Sequence, residues 1–108
     1  MRNVLARVEE IAQGGVVAAD VASSTGGFSV VLARVGEQVH AYHNECPHAG
    51  RRLDWAPGRF LVEHGHLVCA AHGAAFELDT GACVGGPCRG ASLKRVPVRV
   101  DGDEVVLG

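Results

Sequence analysis

At 108 residues the chain fits one domain of common size with a modest core, to which a bound metal or cluster would add stability. Its 47% apolar and 20% charged residues exclude disorder on compositional grounds, and a formal charge of −2 excludes the basic face of a nucleic-acid binder. No apolar run approaches the roughly 18 residues of a membrane span, and the stretch after Met1-Arg2-Asn3 is broken at Arg7, Glu9 and Glu10, so neither a signal peptide nor an anchor is expected and the protein reads as soluble and cytoplasmic.

In chain order, Val4 to Val8 reads as a first short strand. Glu9 to Gln13 suits a turn or a single helical turn, ended by Gly14-Gly15. Val16 to Val21 is a second strand. After the turn-forming Ser23-Ser24-Thr25-Gly26-Gly27, Phe28 to Val35 and Gln38 to His43 read as a β-hairpin about Gly36-Glu37. Residues 44–58 contain Pro47, Gly50, Pro57 and Gly58 with little alternation, which predicts a long loop of the functional kind. Phe60 to Glu63 and His66 to Ala70 are short strands joined through Gly65. Ala74 to Leu78 is another, closed by Asp79-Thr80-Gly81. Residues 83–91 read as a second irregular loop. Leu93 to Val100 is a strand that Pro97 marks as a sheet edge. Asp101-Gly102 turns into the last strand, Glu104 to Leu107. Short strands with turn signals between them predict an all-β fold, a small antiparallel sandwich or barrel over residues 1–108 as a single domain.

Four cysteines (46, 69, 83 and 88) and six histidines (40, 43, 48, 64, 66 and 72) raise the expectation of a metal centre, since cytosolic thiols are more often ligands or reduced than disulfides. Two motifs carry that expectation: Cys46-Pro47-His48 and Cys69-Ala70-Ala71-His72. Each places a soft thiolate and an imidazole in one tight loop, and the residues between them suffice for a strand pair that brings the loops together. Thiolates suit iron–sulfur clusters and imidazole suits iron. A two-iron, two-sulfide core held by four thiolates is doubly negative when oxidised; two thiolates and two neutral imidazoles leave it uncharged. Reduction inside a protein is then easier. Structural zinc is the rival for such a donor set, but zinc's usual pairs are Cys-x2–4-Cys and His-x3–5-His, which these mixed halves fit poorly.

The pattern C-x-H…C-x-x-H resembles the Rieske family, and the resemblance runs over roughly residues 27–108, including Asn44, Gly73 and the Gly86-Pro87 loop. It implies one [2Fe–2S] cluster per chain, with Cys46 and Cys69 on the inner iron and His48 and His72 on the outer iron near the surface. The cluster-binding subdomain of two loops would span about 44–82, with the Gly86-Pro87 loop covering the cluster. High-potential members carry a disulfide between the two loops; the matching positions here are Arg51 and Ala71. They also place a serine and a tyrosine where this chain has Ala74 and Phe76. Hydroxyl donors stabilise the more negative reduced state, so their loss predicts a potential near the bottom of the Rieske range, about −150 mV. The ring N–H groups of His48 and His72 should ionise more readily in the oxidised state, so the midpoint should fall at alkaline pH.

Cys83 and Cys88 read as small buried thiols beside the cluster. An all-cysteine cluster on Cys46, Cys69, Cys83 and Cys88 would leave the two motif histidines without a reason. His40, His43, His64 and His66 read as surface or satisfied structural residues, with His40 and His43 on opposite faces of one strand. Trp55 is expected in the core beneath its loop, with a docking role as the alternative. Arg51 and Arg52 are either solvated or positioned to steer an acidic partner.

Rieske oxygenases carry a second domain with a catalytic iron, for which this chain has no room and no leftover ligand set. The resemblance therefore implies no catalytic residue of its own. It implies a one-electron carrier, a low-potential Rieske ferredoxin linking a flavin-dependent reductase to a terminal oxygenase, monomeric when free. The small apolar tip formed by Pro47, Ala49, Ala70 and Ala71 would suit a weak redox encounter. A small subunit of a larger oxidoreductase, such as a nitrite reductase, and a redox-responsive regulatory module are the alternatives.

Overall fold

The computed structural model describes residues 4–23, 26–47, 52–56, 58–69, 73–86 and 90–108. Eleven strands are present among them: β1 (Val4–Arg7), β2 (Val16–Ser23), β3 (Gly26–Val35), β4 (Gln38–His43), β5 (Leu61–Glu63), β6 (His66–Val68), β7 (Ala75–Glu77), β8 (Cys83–Gly85), β9 (Arg95–Val96), β10 (Val98–Asp101) and β11 (Glu104–Leu107). A single 3-10 turn, Val8–Glu10, follows β1. The fold is all-β and antiparallel, and no helix of the described residues is long and apolar enough to cross a membrane.

Three sheets divide the strands. β1-β11-β10 and β2-β3-β4-β9 form the base, and β5-β6-β7-β8 forms a separate small sheet inserted in sequence between β4 and β9. The long β2–β3 ladder, Val16↔Ala33 to Ser23↔Gly26, is built from β-branched and small residues that suit a half-buried pleat. His64 and Gly65 both adopt left-handed backbone, φ 53° and 76°, and close the β5–β6 hairpin between paired Glu63 and His66. That is the two-residue turn whose twist matches its flanking strands.

Two features differ from the sequence reading. Cys83–Gly85 is a strand and not part of an irregular loop; it pairs with β7 across a register shift that alternation alone does not reveal. The expected strand Leu93 to Val100 is two strands, divided at Pro97. Proline offers no N–H to a ladder. Here it stands where the chain leaves the edge of one sheet, β9 on β4, for the edge of another, β10 on β11.

The core has two parts. Ile11, Val21, Val30, Leu32, Val39, Ala41, Val96 and Val105 fill the base. Val31, Ala33, Tyr42, Leu53, Leu67, Phe76, Leu78 and Leu93 join the small sheet to the other face of β3 and β4, and Cys46, Cys69, Ala74 and Cys83 belong to this second core. The alternation of Val30 and Leu32 against Val31 and Ala33 is what lets one strand serve both. Tyr42 links the two halves further: its buried hydroxyl donates to the Leu78 carbonyl oxygen at 2.8 Å.

Candidate metal centre

The first loop leaves β4 at His43, whose ring stacks on Phe28 with centroids 4.9 Å apart. Asn44 follows, a buried polar residue only 6% exposed. Its backbone N–H donates to the Ser29 carbonyl oxygen at 3.0 Å. Its Nδ2 donates to Ser29 Oγ at 3.2 Å, and its Oδ1 accepts the Leu53 N–H at 2.8 Å. Buried amides are retained where every bond is made, and this one joins the β3 strand to the far end of the loop. Cys46 lies between those anchors, fully buried, and Pro47 is exposed.

Beyond Leu53 the chain is held by Asp54. Its carboxylate, 1% exposed, accepts two bonds from the Arg52 guanidinium, both at 2.9 Å, and the Gly58 N–H at 3.0 Å. The Arg52 bonds outweigh burial and hold this carboxyl below the ordinary aspartate range. Trp55 N–H donates to the Arg59 carbonyl oxygen, and Arg59 N–H to that of Ala56. On this tied segment Trp55 is 62% exposed. The expectation that it packs in the core is therefore corrected: the adjacent Leu53 fills the core position, and the turn closed by Asp54 sends the indole outward.

The second loop starts at Cys69, also fully buried. The Cys69 N–H donates to Ala74 O at 2.7 Å and the Gly73 N–H to Cys69 O at 2.8 Å, a closure that ties Cys69 to Gly73 and Ala74. Gly86 lies against this closure: a Cβ at that position would stand 2.7 Å from Ala74 Cα and 3.0 Å from Gly73 O. The Gly86 backbone thus reaches the second loop by a contact only glycine permits, at φ 84°.

Cys46 and Cys69 are both fully buried in one shared apolar core, to which Ala74 and Phe76 also belong. Cys83 is buried in the same core and its thiol donates to the Gly85 carbonyl oxygen at 3.1 Å. Among the described residues no three His, Cys, Asp or Glu side chains converge as a metal site. His48 and His72, together with Arg51, Ala71 and Cys88, lie outside the described residues. The donor set nevertheless suits an iron–sulfur cluster: two buried thiols carried by two separate loops.

The other histidines have structural surroundings. His40 and His43 sit on opposite faces of β4 as expected. His40 is half-buried, with Nδ1 3.1 Å from an Arg95 guanidinium nitrogen and Nε2 buried without a partner. Burial, then the Arg95 charge, lowers its pKa from the usual histidine value of 6.5. Sequence reasoning passed over Asp54 and Tyr42, and saw Asn44 only as part of a motif. The available signal was an amide at a strand end ahead of a long loop, a common way of tying loop backbone.

The fold and the two loops define a Rieske-type domain. The Rieske [2Fe-2S] domain model matches residues 1–104, and the chain belongs to that family, whose members carry one [2Fe–2S] cluster per domain. It is similar, at 28% identity and TM-score 0.72, to the ferredoxin of carbazole 1,9a-dioxygenase from Nocardioides aromaticivorans IC177, covering 100% of this chain and 97% of that one. The Sphingomonas yanoikuyae B1 ferredoxin has the same fold at 23% identity and TM-score 0.72, covering 99% and 97%. The terminal oxygenase of the Nocardioides system matches at 27% identity and TM-score 0.76, covering 98% of this chain but 29% of that one. No curated protein matches it. Family and ferredoxin likeness together support an electron-carrying component over a catalytic enzyme.

Proposed function

We propose that Cys46, His48, Cys69 and His72 hold the [2Fe–2S] cluster and that the chain is a low-potential ferredoxin, taking single electrons from a flavin-dependent reductase and giving them to a terminal oxygenase. The observation that carries this reading is the burial of Cys46 and Cys69, from two separate loops, in one apolar core. When bound, the cluster supplies a one-electron redox couple. The residues around it do the rest. The closures at Asn44–Leu53 and Cys69–Ala74 fix the loops that bear the thiols, and the core excludes water from them. Ala74 and Phe76, both fully buried there, offer no hydroxyl, which favours the low end of the potential range. We take about 44–82 as the cluster-binding subdomain of a single domain spanning 1–108.

Likeness to a dioxygenase ferredoxin over nearly the whole of both chains supports a terminal oxygenase as electron acceptor. Exposed Pro47 and Trp55 both follow the first thiol in sequence and supply apolar contact area for a small redox encounter. The carrier works as a cytoplasmic monomer that meets reductase and oxygenase in turn. Electron paramagnetic resonance of the dithionite-reduced protein tests the ligands: mixed histidine and cysteine ligation gives a lower average g value than four cysteines. A spectrum of the all-cysteine kind overturns the assignment. Reconstitution with a flavin reductase and an oxygenase tests the role; no stimulation of oxygenase turnover would refute it.

A further inference from the structure

We propose that Asn44 is a positioning residue that shuts the neck of the Cys46 loop and holds it in its cluster-binding shape; this rests on the ligand reading above. Asn44 and Leu53 stand nine residues apart, and the 2.8 Å bond from Leu53 N–H to Asn44 Oδ1 joins the two ends of the segment that contains Cys46 and His48. On its other side the same amide is fixed to β3 through Nδ2 to Ser29 Oγ, beside the residue's own backbone N–H bond to Ser29 O. Position 29 lies in the long ladder of the base, paired with Asp20. One side chain therefore transmits the rigidity of the base to both ends of the loop.

Its chemistry suits the task. A carboxylate at position 44 would accept from Leu53 but could not donate to Ser29, and would face the neighbouring Asp54 carboxylate, with which the Asn44 side chain interacts. An apolar residue would leave the buried Leu53 N–H without an acceptor, a penalty of the size that changes an equilibrium about tenfold or more. An open neck lets the loop sample other shapes, and a thiol that must be re-collected from them holds iron less tightly. Asn44 makes no claim on the metal itself; it acts through Cys46.

The test uses purified holoprotein. Asn44→Ala should bleach about tenfold or more faster in excess chelator, show faster amide hydrogen exchange over residues 45–58, and give a broadened or shifted spectrum of the reduced cluster. Val105→Ala, a truncation in the base core, should lower the melting temperature without moving any of those three readouts. Should Asn44→Ala fail to fold, Ser29→Ala removes the Nδ2 partner alone, and should move the same readouts by a smaller factor. Wild-type bleaching and exchange in both position-44 and position-29 variants overturns the proposal, as does Val105→Ala bleaching as fast as Asn44→Ala. Failure of the wild-type protein to bind a mixed-ligand cluster would overturn the ligand reading instead, while the exchange measurement would still decide whether Asn44 closes the neck.

Discussion

Replacing Gly86 by alanine adds one methyl group where the backbone of the second loop already stands. The cost has two parts. At φ 84° a non-glycine residue is strained by about 1–2 kcal/mol. The new carbon would also stand 2.7 Å from Ala74 Cα and 3.0 Å from both Ala74 N and Gly73 O. All three are backbone atoms, so no rotamer change relieves the overlap, and overpacking of this kind costs about 1–3 kcal/mol. The sum, about 2–5 kcal/mol, is a large share of the roughly 5–15 kcal/mol that holds a small domain folded. At about 4–8 °C per kcal/mol the melting temperature should fall by about ten degrees or more. Gly90 is the control: its φ of 95° carries the same kind of strain, but a Cβ there meets nothing within 4 Å. Gly90→Ala should therefore show the smaller loss alone. Holoprotein melts followed by far-ultraviolet circular dichroism and by visible bleaching measure both variants. Because Ala74 closes the Cys69 loop, Gly86→Ala should also bleach at a lower temperature than it unfolds. Equal melting temperatures for the two variants would refute the reasoning, since only the clash separates them.

Trp55→Ala should leave the melting temperature and the visible spectrum unchanged, because the indole is 62% exposed, yet raise the KM of an oxygenase for this carrier severalfold at constant kcat; an unchanged KM removes Trp55 from the docking face. Ala74→Ser should raise the midpoint by about 40 mV for each kcal/mol of hydrogen bonding given to the reduced state, and an unmoved midpoint in a folded variant would refute the role assigned to the missing hydroxyl. The neutral His40 ring accepts from Arg95, and burial and the Arg95 charge lower its folded-state pKa, so the unfolded chain takes up a proton there first. Its contribution to stability is thus complete above the unfolded value of about 6.5, declines as pH falls through it, and levels off below the folded-state value. Denaturant titrations from pH 7.5 to 5 should show a shallower acid loss in His40→Gln, and an identical slope in both proteins would refute the assignment.

The base was legible in the sequence because its strands are long and its turns are marked. Gln38–His43 and Glu104–Leu107 appear where alternation and the Gly36-Glu37 and Asp101-Gly102 turns predict them. The small sheet was harder. Its strands are three residues long, too short for a period to emerge, and Cys83–Gly85 is hidden by glycines and a register shift. The two cysteines of the candidate site stood out because thiols paired with imidazoles at fixed spacing have few other uses. Asn44 and Gly86 were visible as parts of the motif, but not what they hold, because an Asn44 amide or a Gly86 backbone gains its meaning from atoms far away in sequence. Trp55 was misread for a related reason: a large apolar side chain in a loop argues for burial unless its neighbour, here Leu53, already fills the space.

The pairing of β4 with β9 has a topological consequence. Ala41 faces Val96, Tyr42 faces Arg95, and the His43 N–H reaches the Lys94 carbonyl oxygen at 2.8 Å. Everything from residue 44 to residue 93 therefore enters and leaves through a single doorway about 5 Å wide, the spacing of paired strands. This insert is attached as a cassette is, by two adjacent ends that the β4–β9 pairing holds side by side.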